Sequence, residues 1–402
     1  MGERGFGGLI AGLGLTMIMG YGALYYAFTV MAPALMAEFG WSSSFTYGCF
    51  SLGLLAGGLM APVAGRQFDR FGVRLPMTIG SAAAALALAA MALVQGPVSY
   101  GVALVLLQAA STFVLYDAAF TGISQIAGPR ARRVITALTL IAGFASTLFW
   151  PLTTYLVDHL GWRETYLVFA AAMFVTCVPT HYLCLAPADR QGRRVAPPVV
   201  GEVVAPQAAG SLWRQPAFVL LATSFCLGGF VLAVFPVYVL TILGALGTAP
   251  STAIWVAALI GPAQVGARFI EMVGGKGWGA TTVGLLAASA LPVALAAVLG
   301  SGQGTAFAVV FALFYGAGQG LKSIAYGVVP LALFGAAGYG TLLGRLSSLR
   351  LIVSAVAPFA FAALVDGFGM DAALGVALAF AVASLAAYLA LLRRLAPRPA
   401  AA

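Results

Sequence analysis

Gly65-Arg66-Gln67-Phe68-Asp69-Arg70-Phe71-Gly72-Val73-Arg74 is a short charged island between two long apolar runs, roughly 43–64 and 75–95. Each run is long enough to cross a bilayer as a helix, which takes about 20 apolar residues. Three arginines and one aspartate hold the island in water, and arginines in a loop mark the cytoplasmic side. The decisive question is whether the rest of the chain alternates in the same way.

Composition says that it must. The 402 residues are 62% hydrophobic and only 8% charged. A soluble protein could not cover its surface with so few charges. The net charge of +9 would suit nucleic acid only if it were concentrated on one basic face. Here the basic residues are scattered between apolar runs, so a lipid bilayer is the expected surround and nucleic acid is not an expected partner. Fifty glycines and twenty prolines suit closely packed, locally broken membrane helices. Cys49, Cys177, Cys184 and Cys226 all lie inside apolar runs, so no disulfide framework is expected. Met1–Gly8 leads into a long apolar run without a small-residue cleavage site, and no removable signal peptide is expected.

Twelve spans are expected: 7–34, 43–64, 75–95, 98–126, 134–157, 164–186, 215–243, 250–272, 280–300, 304–330, 341–365 and 370–392. Arg4, the 66–74 island, Arg130/Arg132/Arg133, Arg190/Arg193/Arg194/Arg214, Lys276 and Arg393/Arg394/Arg398 then fall on one face. The other face has only Arg163. Both termini are therefore expected in the cytoplasm. Residues 187–214 carry Pro187, Pro197, Pro198 and Pro206 and no apolar periodicity, which reads as a flexible cytoplasmic linker. It separates an N-terminal half, 1–186, from a C-terminal half, 215–402, with a short Pro/Ala-rich tail after Leu395. The halves repeat each other: Leu156-Val157-Asp158 follows Pro151 and precedes Gly161, and Leu364-Val365-Asp366 follows Pro358 and precedes Gly369. Each copy ends the fifth span of its half.

Gly65, Asp69, Arg70, Gly72 and Arg74 match G-x-x-x-D-R-x-G-x-R, the signature between the second and third helices of the major facilitator superfamily. The chain resembles that family of secondary transporters along its whole length. The resemblance implies an all-α membrane protein, with twelve transmembrane helices in two pseudo-symmetric six-helix bundles that rock about a midplane site. It also implies that Asp69, Arg70 and Arg74 latch the cytoplasmic face when the transporter opens outward. Helices 1, 4, 7 and 10 would line the central cavity.

Among the ionisable residues inside spans, Asp117, Arg268, Lys322 and Arg350 carry the argument. Charge there costs a few kcal/mol on insertion scales, roughly 2.5–3.5 for each residue. Such residues face a partner or a water-filled cavity. Asp117 and Lys322 each stand five residues before a glycine, Gly122 and Gly327, so the repeat places them at equivalent positions of the fourth and tenth helices. The two are expected to face each other, and Asp117 to serve in proton coupling or charge-pair gating. The plainer reading is a static salt bridge.

Arg268 ends Gly261-Pro262-Ala263-Gln264-Val265-Gly266-Ala267-Arg268. This resembles the eighth-helix G-x-x-D-x-x-A-R of monocarboxylate transporters, whose arginine meets the substrate carboxylate. Gln264 stands where that pattern has its proton-coupling aspartate. Tyr25-Tyr26-Ala27-Phe28 and Glu38-Phe39-Gly40-Trp41-Ser42 are similar to the monocarboxylate and oxalate/formate exchanger branch, although the late lysine of the first helix in animal members is absent. For Arg268 the plainer alternative is a pair with Glu271, three residues on. For Arg350 it is a packing partner inside the membrane, against a role at the cavity wall.

Asp117 offsets one of Lys322, Arg268 and Arg350, leaving two positive groups. A carboxylate would complete the balance, and arginine offers it a two-pronged hydrogen-bond geometry. Arg268, Lys322 and Arg350, with Tyr25 and Gln319, are the candidate substrate-binding residues. Tyr21, Tyr25, Phe28, Gln108, Thr112, Tyr116, Phe230, Phe235, Tyr238, Tyr315 and Tyr326 suit a small carboxylate with an apolar or aromatic body, or ordinary helix packing. Cys177, His181 and Cys184 share a face of the sixth helix, a spacing that soft metals use, but that helix is peripheral in this family and no metal site or cofactor is expected. The two histidines, His159 and His181, fall on opposite sides of the membrane, and no nucleophile–base set, phosphate loop or zinc spacing is present. An enzyme is therefore not expected. The expectation is a monomeric inner-membrane carrier of a small organic anion, working by proton coupling or exchange. An exporter of amphipathic compounds, a carrier of a riboflavin-like vitamin or a copper importer of the same fold are the alternatives.

Overall fold

The computed structural model describes residues 3–191 and 212–395, and among them every regular element is helical. α1 consists of Glu3–Tyr21, a five-residue π segment Gly22–Tyr26, and Ala27–Phe39. α2 is Ser43–Phe71 and α3 is Arg74–Ala92. α4 comes in two pieces, Pro97–Ser111 and Tyr116–Ala127, as does α5, Ala131–Ala142 and Ala145–Leu160. α6 is Trp162–Cys184. α7 to α12 are Pro216–Ala245, Pro250–Gly274, Ala280–Leu299, Thr305–Phe334, Tyr339–Phe368 and Met370–Leu395. Most of the expected linker 187–214, with Arg193 and Arg194, lies outside the described residues, as does the tail after Leu395 with Arg398. The described ends of the linker are helical, Ala186–Gln191 and Leu212–Arg214.

Eleven described helical runs are long and apolar enough to span a membrane. One of them, Pro97–Leu160, has 64 residues, about 96 Å of helix at 1.5 Å per residue, enough for two crossings. Gly128, at φ +51°, and the short 3-10 turn Gly128–Arg130 divide it. The twelve expected spans are all present.

The charged island is not a loop. α2 continues through Gly65–Phe71, and only Gly72 and Val73 stand outside the helices. Nothing between Gly65 and Gly72 breaks a helix, and a charged helix end can simply protrude from the bilayer. The turn itself needs Gly72, at φ +75°. Gln125 of α4 pins it: its Oε1 accepts from Val73 N at 3.3 Å, and its Nε2 donates to Phe68 O at 3.1 Å.

The chain folds as two compact units. The first takes Met1–Pro197 and Ala336–Ile352, the second Pro198–Gly335 and Val353–Ala402. α11 is thus shared, its N-terminal part going with the first unit. In the first unit α3 packs on α6, α2 on α4, and α1 on α5 and α6. Its core includes Leu24, Met31, Leu88, Met91, Tyr100, Phe169 and Met173. On its outer side, by the orientation expected above, Glu38 accepts from Trp162 Nε1 at 2.6 Å and pairs with Arg163, which also donates to Val94 O at 3.0 Å. Phe39 stacks on Trp41 at 4.4 Å. The Glu38–Trp41 segment is therefore a clasp on the ends of α1, α3 and α6.

In the second unit α10 packs on α8 and α9, and α7 and α9 on α12. Gly316 and Gly320 lie four residues apart, on one face of α10. A Cβ at either would press on the α8 backbone at Ile260 or Gln264. This is the small-residue contact by which membrane helices approach closely.

The internal repeat is visible in hydrogen bonds. Gly161, φ +91°, donates to Val157 O at 2.9 Å, and its own carbonyl accepts from Thr165 N at 3.2 Å. Gly369, φ +86°, donates to Val365 O at 2.9 Å and accepts from Ala373 N at 3.2 Å.

Candidate functional site

α4 breaks inside the membrane, although its sequence reads as one apolar span. The Ser111 and Thr112 hydroxyls each donate, at 2.7 Å, to the carbonyl three residues back, Gln108 O and Ala109 O. Such bonds compete with the helical ladder. Leu115 is extended, at φ −80° and ψ −164°, and the helix restarts at Tyr116. Asp117 therefore sits in the first turn of a new helix, where the macrodipole favours a carboxylate. Irregular backbone at membrane depth persists only where protein or water covers it.

The partner of Asp117 is Arg350 of α11, with Oδ2 and Nη2 3.9 Å apart. Arg350 Nη2 also donates to Ser347 Oγ at 3.5 Å. Asp117 and Arg350 remain 25% and 27% exposed, so water or a solute can reach the pair. Arg350 thus engages the Asp117 carboxylate, a partner to which the repeat does not point. Repeat symmetry equates positions, but it cannot tell which way a long side chain turns. Tyrosines surround the pair. The Tyr21 and Tyr116 rings are 4.7 Å apart, and Tyr116 stacks on Phe120 at 5.0 Å. Tyr21 and buried Tyr339 lie within electrostatic reach of Asp117, and Tyr21 and Tyr25 within reach of Arg350. A cavity of about 10 Å³ borders Asp117 and Thr112, and Ala61, Ala64, Gly65, Phe68, Gly340 and Gly344 complete its wall. That is the size of a single water.

On the far side of this cavity α2 crosses the start of α11. A Cβ at Gly65 would overlap the Gly340 carbonyl, and one at Gly344 would overlap that of Ala61. One turn on, Asp69 caps α11. Its Oδ1 accepts from Gly340 N at 2.9 Å and its Oδ2 from Thr341 N at 2.7 Å. Two orphan donors of the helix end are satisfied by one charge. The other signature arginines act elsewhere. Arg74 Nε donates to Tyr182 O at 2.7 Å, and its guanidinium lies 4.0 Å from the Tyr182 ring centre, closing the end of α6. Arg70 is exposed beside the Phe71 ring.

The π segment of α1 shifts the register at Tyr25 and Tyr26. A five-residue hydrogen bond, Ala27 N to Gly22 O, marks it. Gln108 of α4 donates to Leu24 O within it at 3.1 Å. Gln108 is buried and donates to a backbone carbonyl of the π turn, which is the packing alternative to a place at the cavity. Gly22 makes room for Phe149 of α5, whose ring fills the place a Cβ would take. π turns inside α-helices are frequent at functional sites.

In the second unit the two expected carboxylate ligands are buried. Lys322 Nζ donates to Ser224 O at 3.5 Å and lies against the bare Cα of Gly228. Ser384 Oγ donates to the same carbonyl at 2.8 Å. Arg268 Nε donates to Gly320 O at 3.4 Å. Gln319 is half-buried on α10. On α6, His181 is buried with Nδ1 2.7 Å from Ser81 Oγ, and no group of three His, Cys, Asp or Glu among the described residues could hold a metal ion.

Gln125, Ser347 and Tyr339 do not stand out in the sequence, and Tyr26 does so only within Tyr25-Tyr26-Ala27-Phe28. Gln125 carries a faint signal, a lone amide in an apolar run. Nothing local marks Tyr339, whose burial depends on distant helices.

No curated protein sequence matches the chain. Solved structures do. The human organic anion transporter MFSD10 (TETRAN) superposes with a TM-score of 0.71 at 14% identity, covering 95% of this chain and 99% of its own. The proton:xylose symporter XylE, bound to 6-bromo-6-deoxy-D-glucose, gives a TM-score of 0.73 at 11% identity, covering 98% and 97%. At these identities the likeness is one of fold. The profile of the Major Facilitator Superfamily matches residues 8–358, more than half of the sequence, and the chain therefore belongs to the major facilitator superfamily.

Proposed function

We propose that this multi-pass membrane protein is a secondary carrier of a small organic anion, working by alternating access, with Asp117 and Arg350 as the point where substrate and proton meet. The observation that carries the proposal is the Asp117–Arg350 pair, at 3.9 Å and partly open, in a unit whose core is otherwise largely apolar. A pair so long and open is not a tight structural bridge. Protonating Asp117 frees the Arg350 guanidinium for a carboxylate, and loss of the proton returns Arg350 to Asp117. One proton then travels with each anion, and the site stays neutral. Lys322, Arg268 and Gln319 of the second unit and Tyr25 of the first are the further candidate substrate-binding residues of this reading.

The Asp69 cap on α11 supports the latch reading, with Arg74 holding the end of α6 and Arg70 exposed between them. The halves 1–186 and 215–402 would be the moving bodies, in an inner membrane with both termini cytoplasmic and the protein monomeric. The monocarboxylate and oxalate/formate branch is the part of the family to which this reading assigns the chain.

Uptake of radiolabelled carboxylates into proteoliposomes tests this. Accumulation driven by an acid-outside gradient, and lost in Arg350→Ala, is expected. Uptake of cationic dyes or sugars alone, indifferent to Arg350→Ala, would overturn it.

A further inference from the structure

The first unit carries a run of aromatic rings that begins at the Asp117–Arg350 pair. Tyr116 meets Tyr21 at 4.7 Å, and Tyr21 meets Tyr26 at 6.4 Å. Tyr26 then makes edge contacts with Tyr25 at 5.5 Å and with Trp150 of α5 at 5.9 Å. Tyr25 continues to Phe50 of α2 at 5.8 Å.

Two features of the backbone build this run. In a regular α-helix residues five apart point about 140° from each other, so Tyr21 and Tyr26 would face different ways. The π segment Gly22–Tyr26 closes hydrogen bonds over five residues and brings Tyr26 below Tyr21. On α5, Phe149 is locked into the gap at Gly22, which presents its neighbour Trp150 to Tyr26. Tyr25 and Trp150 are nevertheless 42% and 49% exposed. Rings are thus held in place by one edge while open on another.

This exposed surface is unlike one made for lipid. Its inner end is a charged pair, with Arg350 in electrostatic reach of both Tyr21 and Tyr25, and charged groups in membrane spans turn away from acyl chains. The charge lies beside the Tyr21–Tyr25 end of the run. We infer that the anion is a planar aromatic carboxylate, its carboxylate on Arg350 and its ring against Tyr26 and Trp150, and that these two aromatics set the specificity. The inference rests on the anion-carrier reading above. Aromatic rings gain from edge and offset contacts beyond the area that they bury. A saturated ring of equal size and charge gains only the burial.

Three probes separate the possibilities on purified protein, with affinity read from tryptophan fluorescence and thermal shift: phenylacetate, its saturated counterpart cyclohexylacetate, and neutral phenylacetamide. Phenylacetate is expected to bind roughly tenfold more tightly than cyclohexylacetate, the scale of one or two aromatic pairs, and phenylacetamide far more weakly. Trp150→Leu and Tyr26→Leu should each lower phenylacetate toward the level of cyclohexylacetate. Tyr26→Phe, which keeps the ring, should retain the preference and controls for misfolding. Equal affinity for the two carboxylates in the wild type overturns the aromatic inference and leaves the anion carrier standing. Phenylacetamide binding as well as phenylacetate overturns the anion reading itself. Binding of none of the three, by protein with a normal melting transition, overturns both.

Discussion

Asp117 and Arg350 are both legible in the sequence as charges stranded in apolar runs, but their partnership is not. A charge inside a span shows that something must compensate it. Which partner does so depends on the break at 112–115 and on the side that α11 turns to α2, and neither is a local property. If Arg350 holds the carboxylate, Arg350→Ala removes charge-assisted hydrogen bonds worth about 1.5–3 kcal/mol, or roughly 10- to 100-fold in Kd. Titration calorimetry with a bound carboxylate would measure it. Asp117→Asn removes the carboxylate that holds Arg350, so its anion affinity should exceed that of the wild type. Gln108 is a different kind of residue. It reads as a cavity group, yet it serves the backbone of α1. Gln108→Leu would leave the Leu24 carbonyl without its donor, at about 1–3 kcal/mol, and should lower the melting temperature of the protein without substrate.

At the scale of elements, periodicity and length locate every span, because a bilayer crossing imposes the same apolar stretch wherever it occurs. The interruptions are not legible in this way. The π turn of α1, the gap in α4 and the gap at Gly143–Phe144 in α5 lie within continuous apolar sequence, and the π turn takes a hydrogen bond from another helix. Asp69 is legible as part of a motif, while the Gly340 and Thr341 amides that it caps are not. Asp69→Asn keeps a hydrogen-bond acceptor but loses the charge facing the start of α11. It should slow turnover several-fold and leave substrate affinity near that of the wild type, as a kcat-against-KM comparison in proteoliposomes would reveal. Gly65→Ala puts a methyl into the Gly340 carbonyl, an overpacking that costs about 1–3 kcal/mol. Cross-linking of cysteines placed in α2 and α11 should report their separation.

For the whole molecule, the doubled Val–Gly turns at Gly161 and Gly369 have the same hydrogen bonds in both halves of the sequence. The copies have diverged in their interiors. The first unit holds the interrupted helices and the exposed ion pair, while the buried cations of the second rest on carbonyls. An account in which the first unit carries the proton has one direct test. Proteoliposomes containing wild type or Asp117→Asn would be assayed for carboxylate uptake driven by a pH gradient, and in parallel for exchange across equal pH. The wild type should accumulate substrate against its gradient. Asp117→Asn should exchange substrate freely and ignore the pH gradient. If Asp117→Asn still concentrates the carboxylate when the gradient is imposed, the proton travels elsewhere and Asp117–Arg350 is a structural pair.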